Sequence, residues 1–236
     1  MSRRLEICAA SLHSARAAQA GGAHRIELCQ NLEQGGITPS YGLLRQVLRE
    51  LTIPVFVLIR PRPGHFAYDA GELAIMRADI DLSRELGAAG VVLGALTAAG
   101  RVDVAACRPL LEAAGPLPVT FHRAFDDCPD QAAALEDVIG LGCRRVLTSG
   151  GAATAAAGAA QLAALGRQAA GRIGILPGAG ITAANARAVL AATGAPELHT
   201  SAKRRVTGPQ PASMFGAEQW ETDAALVAEL VGLLAD

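Results

Sequence analysis

Short apolar runs alternate with longer segments of helical period along the whole chain. The runs have the length and composition of buried strands, and Ala/Leu-rich segments between them repeat their apolar residues at helical spacing. A final helix is predicted near Asp223 to Leu234. Eight runs are predicted as strands: Arg4 to Cys8, Arg25 to Cys29, Val55 to Arg60, Gly90 to Gly94, Pro118 to His122, Arg145 to Thr148, Ile173 to Leu176 and Glu197 to Thr200.

This rhythm predicts an α/β fold in which parallel strands are joined by helical crossovers. Eight strand–helix pairs favour a (β/α)8 TIM barrel, although a doubly wound open sheet uses much of the same rhythm. Without a linker or a shift in charge, residues 1–236 are expected to form a single domain. Functional groups of such barrels lie at the C-terminal ends of the strands, which is where candidate chemistry is expected.

Two of the strands carry nearly the same phrase at a 21-residue offset, Leu-Glu-Ile-Cys at 5–8 and Ile-Glu-Leu-Cys at 26–29. Residues two apart in a strand share a face, so the polar positions point inwards and the aliphatic positions point towards the outer helices. Neighbouring parallel strands lie about 5 Å apart, so the inward groups would converge. A soft-metal site or an acid/base site would be formed by four residues: Glu6, Cys8, Glu27 and Cys29.

Other polar residues end later strands. Arg60 ends the third, His122 and Arg123 end the fifth, and His199 lies on the eighth on the same face as Glu197. A buried charge without a partner costs several kcal/mol. The two interior glutamates are therefore expected to lie beside one of these arginines, a histidine or a bound cation.

Glycine-rich turns follow two further strands. Backbone N–H groups in such turns can approach an anion, and the loops after late barrel strands often hold phosphate. The same turns also serve as plain strand-to-helix connections. The candidate ligand-binding residues are Ser149, Gly150, Gly151, Gly178 and Gly180.

Composition narrows the classes of partner. Net charge is −1 and 51% of residues are apolar, which gives no sign of a nucleic-acid groove or a polybasic membrane patch. The longest mostly apolar stretch, 88–99, is too short to span a bilayer, and a cytoplasmic location is expected. The five cysteines are odd in number and scattered, so they are expected to be thiols. Those outside the repeated phrase, Cys107, Cys128 and Cys143, are predicted to be packing or surface thiols.

Seven phrases together resemble one known family. They are Leu-Glu-Ile-Cys at 5–8, Arg-Ile-Glu-Leu-Cys at 25–29, Gly-Gly-Ile-Thr-Pro-Ser at 35–40, Ile-Arg-Pro-Arg at 59–62, Thr-Phe-His-Arg-Ala-Phe-Asp at 120–126, Leu-Thr-Ser-Gly-Gly at 147–151 and Glu-Leu-His-Thr-Ser-Ala at 197–202. In this order they closely resemble the CutC copper homeostasis proteins, over nearly the whole chain. One departure is His65, which stands between Gly64 and Phe66 where the family usually has Asp.

The resemblance implies a TIM barrel, a cytoplasmic location, a homo-oligomer (a dimer or tetramer) and a role in copper homeostasis. It also implies that Cu(I) is bound by Cys8 and Cys29. Cu(I) is a soft ion that thiolates select over harder divalent ions. Free cysteine also packs as a small hydrophobe, and barrel shear staggers neighbouring strands, so packing remains the alternative for this pair.

An enzyme is the competing hypothesis. It would be an isomerase, lyase or hydrolase that acts on a small phosphorylated or anionic metabolite at the C-terminal rim. Glu6 or Glu27 would act as the base and His122 or His199 as the acid. The arginines Arg60 and Arg123 would hold the anionic substrate, unless these charges form a structural ion-pair network.

Overall fold

The computed structural model describes residues 3–207 and 218–235; residues 1–2, 208–217 and 236 of the predicted domain lie outside the described part. The eight predicted strands are all present, with ends that differ from the prediction by two residues at most. Two more strands follow them. The strands are β1 (Arg4–Ala9), β2 (Arg25–Leu28), β3 (Val55–Leu58), β4 (Gly90–Leu93), β5 (Val119–Phe121), β6 (Arg145–Thr148), β7 (Gly174–Pro177), β8 (Glu197–Thr200), β9 (Lys203–Thr207) and β10 (Glu218–Thr222).

Helices fill the connections, as the helical period predicted. Polar caps begin several of them: the Asp69 side chain accepts from the Glu72 N–H while Glu72 accepts from the Asp69 N–H, a capping box that satisfies two free N–H groups. The helices are α1 (Leu12–Ala20), α2 (Tyr41–Glu50), α3 (Ala70–Glu85), α4 (Val104–Ala114), α5 (Gln131–Gly140), α6 (Ala159–Ala169), α7 (Ala183–Thr193) and α8 (Ala224–Ala235).

The first eight strands form one parallel sheet that is nearly closed into a barrel. Their order is β7-β6-β5-β4-β3-β2-β1-β8, and the strands at its two ends, β7 and β8, contact each other. The sheet confirms the predicted (β/α)8 architecture. The remaining strands, β9 and β10, form an antiparallel pair that the sequence pattern did not predict.

The two faces of each strand separate as the alternation predicted. Leu5, Ile7 and Leu28 belong to the large apolar core that includes side chains from the outer helices. Inside the barrel, a smaller cluster contains the two cysteines of the repeated phrase: Cys8, Cys29, Phe56, Leu58 and Val92. Among the described residues, no helix is both long and apolar enough to cross a membrane.

Candidate functional site

The lower part of the barrel interior contains a set of charges that neutralise one another, here called the paired layer: Glu6, Arg25, Arg145 and Glu197. Arg25 contacts both carboxylates, Glu6 through Nε and Glu197 through Nη1. Arg145 Nε donates to Glu197 at 3.1 Å. The two guanidinium groups lie 5.6 and 5.2 Å from the centre of the Phe56 ring, one from Arg25 and one from Arg145. Each of these four ionised groups therefore has an opposite charge beside it.

One contact connects this layer to the residues above it. His199 Nδ1 lies 2.7 Å from Glu6 Oε1. Burial alone would raise the pKa of Glu6, but the hydrogen bond with His199 and the charge of Arg25 outweigh it and hold the pKa at about 2. Burial would lower the pKa of His199, but its hydrogen bonds with Cys8 and Glu6 and the charge of Glu27 raise it well above 6.5. Glu6 and His199 therefore form a buried ion pair at neutral pH.

Above the paired layer lie four interior groups that line the cavity, here called the open layer: Cys8, Glu27, Arg60 and His122. The register places Cys8 of β1 beside Glu27 of β2, so the two cysteines sit diagonally across the strands. Their Sγ atoms are nevertheless only 3.6 Å apart. The structure thus brings together the two thiols that the repeated phrase predicted would converge.

The two thiols differ in access. Cys8 is 7% exposed and lines the cavity, whereas Cys29 is fully buried. A Cβ placed on Gly36 would lie 3.5 Å from the Cys29 Sγ, so the loop after β2 covers this thiol closely. The hydrogen bond with Cys29 and burial together raise the pKa of Cys8 well above 9.0, and Cys8 is therefore a neutral thiol at neutral pH.

Glu27 is the acidic member of the open layer. Its Oε2 lies 3.5 Å from His199 Nδ1 but has no hydrogen-bond partner among the described residues. Burial raises its pKa to about 7, and the charge of Glu6 adds to this effect. One ligand atom from each of Cys8, Glu27 and His199 lies within 4.8 Å of the others, which makes this cluster a candidate metal centre.

A cavity of about 1090 Å³ opens at the C-terminal ends of the strands. Cys8 and Glu27 line it, and so do Arg60, His122 and Arg123 from later strands. This end of the barrel is where the sequence predicted the functional groups. The wall also includes the segment from 179 to 184, at the N-terminus of α7, and residues 199 to 203, which run from the end of β8 into β9.

The sequence left the charge partner of the interior glutamates open between an arginine, a histidine and a bound cation. His199 does contact Glu6 and Glu27. Arg60 instead donates to three backbone carbonyls, and Arg123 pairs with Asp126 at 2.8 Å. Of the partners left open, the histidine is therefore the one that lies beside the glutamates, while loop carbonyls and a neighbouring aspartate hold the two arginines.

The partner that sequence reasoning missed is Arg25. Residue 25 is two positions before Glu27, so the alternation placed it on the same inward face, and this signal was available. The register then sets Arg25 beside Glu6 on β1. Sequence reasoning also missed Arg145, the first residue of β6. Its contact with Glu197 completes the paired layer.

The glycine turns lie at the rim, but four of their five candidate residues already donate their N–H groups within the protein. Ser149 and Gly151 donate backbone N–H groups to the Asp126 carboxylate, and Gly150 donates to Thr148. Gly178 donates to the Thr148 carbonyl, and in the same loop Gly180 lines the cavity. An internal carboxylate thus occupies the turn after β6, and phosphate binding by these residues stays a prediction.

The remaining cysteines are buried. Cys107 and Cys128 each lie within 4 Å of a backbone carbonyl that their thiol can reach, Ala95 and Ala124 respectively. Burial raises the pKa of Cys107, of Cys128 and of Cys143. These properties fit packing thiols.

The fold and the site define a class of protein: a (β/α)8 barrel with a polar cavity at the C-terminal ends of its strands and a close thiol pair at the cavity floor. Residues 3–204 match the CutC family, and the chain belongs to that family.

Its relatives agree with this assignment. The family protein CutC of Xanthomonas campestris pv. campestris (strain B100) is 52% identical over 235 residues, which cover 98% of each chain. The human copper homeostasis protein cutC homolog is 49% identical over 199 residues, covering 84% of this chain and 73% of that protein. A crystal structure of CutC from Streptococcus agalactiae superposes with a TM-score of 0.80 at 37% identity, covering 84% of this chain and 98% of that one.

More distant structures share the fold alone. Thiamine phosphate pyrophosphorylase from Pyrococcus furiosus has a TM-score of 0.62 at 19% identity and covers 98% of this chain and 95% of that one.

Proposed function

We propose that this protein takes part in copper homeostasis by binding one Cu(I) ion through Cys8 and Cys29. The observation that carries the proposal is the 3.6 Å separation of the two Sγ atoms, one of which lines the cavity. Thiolates select Cu(I) over harder ions. The names of the relatives support a role of this kind, since the human protein is named for copper homeostasis.

The spacing of the sulfurs favours a bent arrangement completed by a third donor. With metal–thiolate bonds of about 2.3 Å, a linear sulfur–metal–sulfur unit needs roughly 4.6 Å between the sulfurs. The observed 3.6 Å is shorter. Imidazole suits copper better than a carboxylate does, so His199 is the third donor we favour over Glu27, and it must give up one proton of its ion pair with Glu6 to bind the ion.

The donor set fits a cation in charge as well. The Cys8 thiol is neutral before the ion arrives, because its contact with Cys29 and its burial raise its pKa well above 9.0. Thiols must lose their protons to bind a metal, so uptake of Cu(I) releases protons. The two thiolates that result carry negative charge, which the bound cation partly neutralises.

The test is an anaerobic Cu(I) titration against a competing chelator. Wild-type protein is compared with Cys8→Ser, Cys29→Ser and a matched control, Cys107→Ser, which removes a buried thiol elsewhere. One ion per chain is expected, with affinity falling at least about a hundredfold in the first two variants and unchanged in the control. X-ray absorption of the loaded protein is expected to count two sulfur ligands and one nitrogen ligand.

Circular dichroism of each variant checks that the fold is intact. Copper binding that survives both Cys8→Ser and Cys29→Ser, or that falls equally in Cys107→Ser, would contradict the proposal. Two sulfur ligands without nitrogen would retain the thiol pair and remove His199 from the ligand set.

A further inference from the structure

Arg60 is a buried cation without a carboxylate partner among the described residues. Its side chain lies at the end of β3 and the residue is only 6% exposed. Nη1 donates to the carbonyls of Gln34 and Gly36, and Nη2 donates to that of Gly64, while Nε has no partner. Carbonyl dipoles solvate the guanidinium, but its unit of positive charge is not balanced nearby. A buried charge in this state favours an anion beside it.

His122 presents a second free donor on the same side of the cavity. Its Nδ1 accepts a hydrogen bond from the Ala124 N–H, so the ring proton lies on Nε2. Nε2 has no partner among the residues described, and the side chain is 5% exposed. Burial and the charge of Arg60 lower the pKa of His122 to about 3, so the ring is neutral and donates one N–H.

One aromatic side chain lies against both groups. The Phe66 ring centre is 4.9 Å from that of His122 and 5.0 Å from the Arg60 Cζ. Phe66 lines the cavity together with them. It belongs to residues 59–69, which connect β3 to α3 without helix or strand. The two free nitrogens, Arg60 Nε and His122 Nε2, are buried, and the Phe66 ring packs against both of their side chains.

We propose that the cavity binds the carboxylate group of a small organic anion between Arg60 and His122, with the Phe66 ring turning aside to admit it. The charge of the site sets the ligand class, because one uncompensated guanidinium balances one negative charge. The donors also match, since one N–H from each side chain can serve one oxygen of a carboxylate. A phosphate dianion carries twice this negative charge, and it has more acceptor oxygens than these two N–H donors can serve. The site uses none of the copper ligands and does not depend on the proposed copper function.

The alternative is that Arg60 only ties two loops together through their carbonyls. In that role, Arg60 Nε and His122 Nε2 would have no partner, and the cavity would not prefer a carboxylate over a neutral molecule. The experiment must therefore compare a carboxylate with a neutral molecule of the same shape.

The test follows the His122 ring by NMR in protein labelled with 15N-histidine, with His122→Phe identifying its signals among the five histidines. The probes are pyruvate and benzoate, their neutral counterparts pyruvamide and benzamide, and inorganic phosphate. We expect the two carboxylates to shift the Nε2–H signal and the amides and phosphate to leave it unchanged. Arg60→Gln is expected to weaken carboxylate binding about tenfold or more.

Arg123→Gln is the matched control. Arg123 lines the same cavity but is already paired with Asp126, so its loss is expected to change affinity by no more than about twofold. Should Arg60→Gln fail to fold, Phe66→Ala decides the question: it leaves both donors in place, and carboxylates are expected to bind at least as tightly as they do to the wild type.

Several outcomes would overturn the proposal. One is the absence of any shift with both carboxylates up to about 50 mM. Others are equal shifts with the amides, a response to phosphate alone, or affinities that fall equally in Arg60→Gln and Arg123→Gln. A response to phosphate alone would reassign the site to phosphate, and each of the other outcomes would leave Arg60 with a structural role.

Discussion

The barrel interior holds two sets of ionisable side chains that differ in how their charges are balanced. In the paired layer, two arginines face two glutamates, and every ionised group has an opposite charge in contact. In the open layer, Arg60 has no carboxylate partner among the described residues, and Glu27 has only His199 at 3.5 Å, which it shares with Glu6; both line the cavity. Fully paired buried charges need nothing from outside, whereas unpaired ones are stabilised by a ligand. The comparison therefore supports the proposals above, in which the lower layer is structural and the upper one binds ligands.

Removing a charge from the paired layer is expected to have the largest effect on stability. Arg25→Met leaves both Glu6 and Glu197 without their shared partner in the barrel interior. Breaking a buried ion pair in this way costs about 3–5 kcal/mol of the free energy of unfolding. Equilibrium urea denaturation at neutral pH measures the loss.

The control for this change is Arg172→Met. It removes the same functional group from an exposed ion pair with Glu136, and a much smaller change is expected there. Equal losses in the two variants would show that the paired layer is no more important than a surface contact.

Removing the Glu27 charge from the open layer is expected to stabilise the protein, the opposite of the effect in the paired layer. The pKa of Glu27 is raised by burial from 4.5 to about 7, so the folded protein holds this proton more tightly than the unfolded chain does. Its contribution to stability is therefore complete below pH 4.5 and is lost as pH rises through 7. Glu27→Gln removes this loss and is expected to raise the free energy of unfolding at pH 8 by about 2 kcal/mol.

Glu6→Gln is the matched control for the stabilisation expected from Glu27→Gln. It is the same chemical change on the neighbouring strand, but it removes a carboxylate whose pKa is lowered to about 2 by His199 and Arg25. It is expected to destabilise the protein at neutral pH. Urea denaturation of both variants from pH 5 to pH 9 makes the comparison, and destabilisation by both would remove the distinction between the layers.

Much of this architecture could be predicted from local sequence pattern. Alternation within strands and helical period between them located the eight barrel strands and the inward face of Glu6, Cys8 and Glu27. Charge partners were harder to predict because strand register decides them, as it does for Arg25 and Glu6. Loop conformation decides others, since Arg60 is held by the carbonyls of loops that carry no periodic signal. The β9–β10 pair was missed because its strands are rich in charged residues and lack an apolar run.

The smallest expected effect on stability comes from a change at Gly90, a glycine below the cavity. A Cβ on Gly90 would lie 2.3 Å from the Phe56 ring. The guanidinium groups of both paired-layer arginines lie over this ring. Gly90→Ala is expected to push this ring aside and lower the free energy of unfolding by about 1–2 kcal/mol. The control, Gly140→Ala, meets no atom within 4 Å and lies in α5, where alanine favours the helix, so no loss is expected. Urea denaturation measures both variants. If the ring supports only the paired layer, Gly90→Ala will leave Cu(I) affinity unchanged while it lowers stability, and a fall in both would mean that the two layers are mechanically coupled.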